Sequence, residues 1–269
     1  MGKRVQKKKK RRGLDARQIV MILCALIAFL SLGYFSVYNY QASHSTKQVD
    51  NLSKVKEKGN LVVHDKATIK VDELDTPPIL EDYVPVFTLN KSTIGWIKIE
   101  GTGVDYPVMQ TSNNDYYLNH NFDQEEDNNG SIYLDKDCSI WPRSQNLLIY
   151  GHNMKSGKMF GSLKKYKDKA FYEEHKTIQF DSIYEKGTYA IMFVFNEKIH
   201  DETEVAFKYY QFINSNSKDE FNSYMNEMRE MSLYETDVEA SFGDQLITLS
   251  TCDYTKDSDR FAIVAKRIK

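Results

Sequence analysis

Thr248-Leu249-Ser250-Thr251-Cys252 is a short alternating run that ends at a cysteine. A polar loop from Asp253 to Asp259 follows, and Arg260 then opens an apolar run, Phe261-Ala262-Ile263-Val264-Ala265. Two such runs joined by a polar connection read as strand, loop, strand. If the strands pair antiparallel, the loop carries Arg260 back beside Cys252. A second stretch has the same form. Asn146-Leu147-Leu148-Ile149-Tyr150 reads as a strand, and Gly151-His152-Asn153-Met154 follows at its end. Gly151 permits a sharp exit and close backbone approach, so His152 is expected at a strand terminus.

Outward from these two stretches the pattern repeats. Further candidate strands are Gly95–Ile99, Val104–Met109, Ser131–Leu134, Thr177–Asp181, Thr188–Phe195 and Val205–Phe212, with Gln245–Thr251 and Phe261–Lys266 flanking the polar loop. The 18 Tyr and 14 Phe favour strand-rich structure. One helix is predicted after Ser217, a candidate N-cap followed by Asp219 and Glu220. Phe221, Tyr224, Met225, Met228 and Met231 then lie on one stripe, read as core-facing. Many short strands with a helix or two point to a mainly β fold, a closed or nearly closed barrel with helical insertions.

The start of the chain has another character. The first 17 residues carry nine Lys/Arg against one acid, so the remainder holds 27 bases and 37 acids, a net of −10. Ile19 to Val37 runs 19 residues without a formal charge. At helical rise that covers about 28 Å, close to a bilayer's hydrocarbon thickness. The basic flank comes first, which predicts a cytoplasmic N-terminus and an external body. A cleaved signal peptide is the competing reading, but its apolar region is shorter and a small-x-small site should follow. Here the exit reads Tyr38-Asn39-Tyr40-Gln41, which favours an uncleaved anchor. The expected organisation is a basic tail over 1–18, a transmembrane anchor over 19–38, a linker and helical region over 39–83, and a catalytic domain over 84–269. The apolar span beside the basic run argues against a nucleic-acid role.

The chain has three cysteines, Cys24, Cys138 and Cys252. Cys24 falls in the apolar span, and Cys138 and Cys252 in the body, where one disulfide between them is open from sequence alone. A thiolate is a strong nucleophile whose acidity follows nearby positive charge. A histidine exchanges protons near neutral pH. An arginine stays charged and presents fixed N–H donors to an oxyanion. Together Cys252, His152 and Arg260 suit acyl transfer at a peptide bond. Each also has a plain structural reading: a small buried thiol, one of six histidines, an arginine paired with Asp257 or Asp259. The combination carries more weight. Only Arg143, Arg229, Arg260 and Arg267 follow the apolar span, and Arg260 lies eight residues past the cysteine.

The Thr-Leu-Ser-Thr-Cys run with Arg260 and its apolar strand resembles the sortase signature, and Tyr150-Gly151-His152-Asn153-Met154 resembles the sortase histidine motif in its class B form. Ile94-Gly95-Trp96-Ile97-Lys98-Ile99, Tyr106-Pro107-Val108 and Tyr116-Tyr117-Leu118-Asn119-His120-Asn121-Phe122 are similar to class B members too. The helix at 217–232 fits the extra helix of that class. The resemblance runs from about residue 84 to the end. It implies an eight-stranded sortase-type β-barrel and a cysteine transpeptidase that cleaves a C-terminal sorting signal after Thr through a thioacyl intermediate. An amine of the cell-wall precursor, or of a pilin, then releases the product. By the resemblance Cys252 is the nucleophile, His152 the general acid/base and Arg260 the oxyanion stabiliser. Thr251, Ser250 and Asn153 fall to oxyanion or substrate contacts. The partners implied are secreted proteins bearing a sorting signal, the acceptor amine, and membrane lipid around the anchor. No cofactor or metal is expected. The alternative is an extracellular cysteine peptidase without transfer.

Smaller features stay outside that frame. Glu125, Asp127 and Asn129-Gly130 resemble part of a calcium loop, but Lys136 stands where the bidentate acid belongs, so an acidic surface turn is expected. Cys138 reads as a structural or partly exposed thiol. His120 and His175 have no ligand partner at convincing spacing.

Overall fold

In the computed structural model, residues 15–57, 76–198, 207–252 and 259–269 are described, with the backbone alone at 16, 38–39, 41–46, 57, 252 and 259. The basic run Lys3–Arg12, the linker portion 58–75, the start of the candidate strand Val205–Phe212, and most of the polar loop after Cys252 lie outside them.

Two compact units divide at His44/Ser45. In the first, the helix α1 (Ala16–Glu57) begins, and its Arg17–Val37 portion is long and apolar enough to cross a membrane. Its large apolar side chains, Leu26, Phe29 and Leu30 among them, are exposed. Apolar groups facing outward around a whole helix have no core to enter, and lipid is the solvent that suits them.

The second unit holds the end of α1 and the barrel. The short helices are α2 (Val84–Leu89) and α3 (Lys169–Glu174), and α4 (Lys218–Met231) is longer. The strands are β1 (Thr93–Lys98), β2 (Asp105–Met109), β3 (Ile132–Leu134), β4 (Asn146–His152), β5 (Thr177–Ser182), β6 (Thr188–Lys198), β7 (Leu246–Cys252) and β8 (Asp259–Arg267). They close in the order β1-β2-β3-β4-β7-β8-β6-β5. Most neighbours are antiparallel, but β2 with β3 and β4 with β7 are parallel. Closure removes the sheet edges that a twisted eight-stranded sheet would otherwise expose.

The period of two along the strands sorts side chains to the two faces. Ile247, Leu249, Phe261, Ile263 and Ala265 join the main core cluster. The intervening Leu246, Ala262 and Val264 join a second cluster with Phe221, Met225 and Met228 of α4. The apolar stripe predicted after Ser217 therefore covers the outside of β6 and β8. Ser217 caps α4 by accepting from the Glu220 amide at 3.2 Å.

One predicted strand is corrected. Within Val205–Phe212, the described part forms a 3₁₀ turn at Tyr209–Gln211. Tyr209 and Phe212 are both buried in the second cluster, three residues apart. That spacing brings both side chains to one side of a tight turn, whereas a strand would point them to opposite faces.

The end of α1 packs on the barrel through Leu52, which is buried. The Lys56 ammonium lies 5.0 Å from the Tyr83 ring centroid and 4.9 Å from that of Trp96. Burial lowers its pKa, partly countered by Asp181 and Asp105.

Candidate active site

β4 and β7 run side by side in parallel register, pairing Leu147 with Ile247 and so on to His152 with Cys252. Neighbouring strands lie about 4.8 Å apart, so the two Cα atoms are close neighbours. β8 returns antiparallel on the other side of β7, with Ser250 opposite Ala262. Continued by two residues, that register brings Arg260 alongside position 252. The strand-loop-strand reading and the strand-end position of His152 are both what the backbone shows.

The arginine reaches further. Its guanidinium carbon lies 5.8 Å from the centroid of the Tyr150 ring, and one terminal nitrogen donates to the Thr251 carbonyl at 3.4 Å. Tyr150 is on β4 and Arg260 on β8, so the side chain crosses the end of β7. The other arginines serve elsewhere. Arg143 donates to the carbonyls of Ser144 at 2.6 Å and Leu246 at 2.9 Å, tying the starts of β4 and β7 together. Arg267 pairs with Glu185 at 2.8 Å and with the Gln245 side chain at 2.6 Å, again at the far end of the strands. Arg229 is on α4.

His152 is buried, at 4% exposure. A Cβ on the preceding Gly151 would come within 2.4 Å of Ile132 Cδ1 and 2.8 Å of the Phe160 ring, so the strand end sits tight against both. The Phe160 amide donates to the His152 carbonyl at 2.9 Å. The ring is held by a contact that sequence reasoning missed: Nε2 lies 2.6 Å from the Leu118 carbonyl. A carbonyl oxygen only accepts, so Nε2 carries the hydrogen.

The lesser candidates have partners within the fold. The Thr251 hydroxyl accepts from the Phe261 amide at 2.9 Å, and Ser250 shares a 2.8 Å hydrogen bond with the Tyr209 hydroxyl. Both residues are fully buried. Asn153 is half-buried and bridges to Met159 through its backbone. Cys138 is buried, the Leu148 amide donating to its Sγ at 3.4 Å and its thiol donating to the Asn146 carbonyl at 3.5 Å. Burial pushes its pKa up to about 12. The turn around Glu125 is only partly a surface feature, since Glu125 is exposed while Asp127 and Asn129 are buried. Among the described residues no group of three His, Cys, Asp or Glu could hold a metal ion.

A cavity of about 150 Å³ lies between the end of α1 and the barrel, lined by Val49, Tyr106, Phe122, Ile132 and Met159.

Comparison with known proteins gives the class. The family model for the sortase domain matches residues 97–268. The chain belongs to the sortase family, and sortases are cysteine transpeptidases. Its relatives are of the B type. The Sortase B of Listeria monocytogenes is 37% identical over 179 residues, covering 65% of this chain and 69% of the relative. That of Staphylococcus aureus is 33% identical over 183 residues, covering 67% and 72%. Among solved structures, sortase B from Bacillus anthracis in complex with AAEK1 superposes with a TM-score of 0.70 at 29% identity, covering 85% of this chain and 98% of that one. A Staphylococcus aureus sortase B–substrate complex gives 0.69 at 27% identity, covering 83% and 97%.

Proposed function

We propose that Cys252, His152 and Arg260 carry out transpeptidation on secreted proteins that bear a C-terminal sorting signal. The observation that carries this reading is the register of His152 with Cys252, with Arg260 on the adjoining strand. The Cys252 thiolate attacks the carbonyl carbon of the signal's threonine, and the electron pair moves to the carbonyl oxygen. The guanidinium of Arg260 stabilises that oxyanion with donors in a fixed plane. The protonated His152 gives its proton to the departing amine as the C–N bond breaks, leaving a thioester. An incoming amine of a wall precursor or pilin then attacks the thioester. His152 takes the amine's proton, a new peptide bond forms, and the thiolate departs.

The apolar portion of α1 supports a single-pass anchor over 19–38 with a cytoplasmic N-terminus and an external catalytic domain over 84–269. Tethering raises the effective concentration of enzyme against substrates held in the same membrane. The test is to incubate the full chain in lipid nanodiscs with sorting peptides, with and without an added amine. Amine-dependent ligation supports the proposal. Cleavage indifferent to amine would make the chain a cysteine peptidase instead.

A further inference from the structure

The peptide carbonyls around Leu118 are nearly all engaged by one neighbouring turn. The Ser131 amide donates to the Tyr117 carbonyl, the Asp127 amide to that of Asn119, and the Ser131 hydroxyl to that of His120, each at 2.9 Å. The Leu118 carbonyl, in the middle of this run, instead meets His152 Nε2. The turn itself is stiff. Asp127 Oδ1 accepts from both the backbone and side-chain nitrogens of Asn129 at 2.8 Å, and the Gly130 amide donates to the Asp127 carbonyl at 2.9 Å. Gly130 has φ +58°, and a Cβ there would lie 2.6 Å from the Leu118 oxygen and 2.5 Å from the Tyr117 oxygen. The backbone of Gly130 thus sits against the same oxygen that holds the histidine.

We propose that the Asp127–Gly130 turn is a positioning element for His152, with Gly130 as its point of contact: it holds the Leu118 carbonyl on Nε2 and so fixes both the orientation of the ring and the nitrogen that carries its hydrogen. The inference rests on His152 being the proton carrier. Gly130 touches no reacting atom. Its part is to let the turn approach the carbonyl closely, which no residue with a Cβ allows. A displaced carbonyl frees the imidazole to rotate, and small misplacement of a reacting group lowers rate steeply.

The experiment compares Gly130→Ala with Gly243→Ala in the full chain in nanodiscs. Gly243 also has a left-handed φ, +98°, but nothing lies within 4 Å of its would-be Cβ, so it reproduces the backbone strain without the push. Gly130→Ala should lower kcat by about 10-fold or more with KM changed less than about twofold, while Gly243→Ala keeps kcat. Nitrogen-15 spectra of the histidine rings, with the His152 signals assigned by difference from His152→Gln, supply the second readout. Above the ring's titration the wild-type chain should show His152 protonated at Nε2, with a hydrogen-bonded ring proton slow to exchange. That proton should be lost to solvent exchange in Gly130→Ala. A wild-type ring protonated at Nδ1 overturns the proposal, and this reading stands even if Gly130→Ala does not fold. So does a Gly130→Ala chain with unchanged kcat and an unchanged ring proton. Full turnover in His152→Ala would instead remove the role of the histidine itself, a separate failure.

Discussion

His152 and Cys252 are register partners at the ends of two parallel strands, β4 and β7, and every pair in that ladder, from Asn146 with Leu246 to His152 with Cys252, is 100 residues apart.

 The constant offset means that no bulge interrupts the ladder, so the two strand ends stay level and the imidazole-bearing and thiol-bearing positions share one rim of the barrel. Cys252→Ala should therefore remove ligation and the thioacyl adduct together, a loss of at least about 10³-fold, because residues that act as a unit fail as a unit. The barrel should survive, since the main core lies on the opposite face of β7, at Ile247 and Leu249. Turnover assays with circular dichroism on the same sample check both halves. Undiminished turnover would refute the assignment.

Arg260 holds two contacts at once, the Thr251 carbonyl and the face of the Tyr150 ring. A planar fork can donate in one direction and stack in another, whereas an ammonium is a point charge. Arg260→Lys should lower kcat by about 10²-fold, the scale of losing one oxyanion donor. Steady-state kinetics with a sorting peptide measure it, and near-normal kcat would remove the oxyanion role.

Tyr150 gives a finer test of the same arrangement. Its ring lies 5.3 Å from that of Tyr133, which backs it from β3, and it is largely buried. A cation over an aromatic face contributes about 0.5–1 kcal/mol at a partly exposed site. Tyr150→Leu should lower kcat by about 2- to 5-fold by that amount, and Tyr150→Phe should stay near wild type. If the two variants behave alike, the stack does not orient the arginine.

Much of this arrangement was legible because it is local. The run to Cys252, the polar loop and the run from Arg260 contain their own pairing instruction, and β7 and β8 pair accordingly. The stripe after Ser217 became α4 with Phe221, Met225 and Met228 buried. What the sequence hid is non-local or carried by backbone. The parallel pairing of β4 with β7 has no signal in either strand. The Leu118 carbonyl could come from any residue, so no side chain announces its bond to His152. Tyr209 and Phe212 misled because aromatic residues suit strands and tight turns alike, and burial under α4 decided between them.

Cys138 separates a structural thiol from a reactive one. Burial pushes its pKa up to about 12, from the ordinary thiol value of 9.0. At pH 8 the folded chain then presents about one thiolate in 10⁴ at this position, far below an ordinary thiol. In a Cys252→Ala background, a water-soluble thiol reagent at pH 8 should modify Cys138 at least about 10³-fold more slowly in the folded chain than in the unfolded one. Mass mapping distinguishes it from Cys24, which lies within the apolar span. The sign of the linked stability follows from the same shift. The folded chain keeps its proton to higher pH than the unfolded chain, so the stabilisation is full below about pH 9 and declines as pH rises toward 12. Denaturant melts across that window should fall more steeply for the chain with Cys138 than for Cys138→Ala. Rapid labelling of Cys138 in the folded state would mean that the thiol between Asn146 and Leu148 is open to solvent, contrary to its 5% exposure.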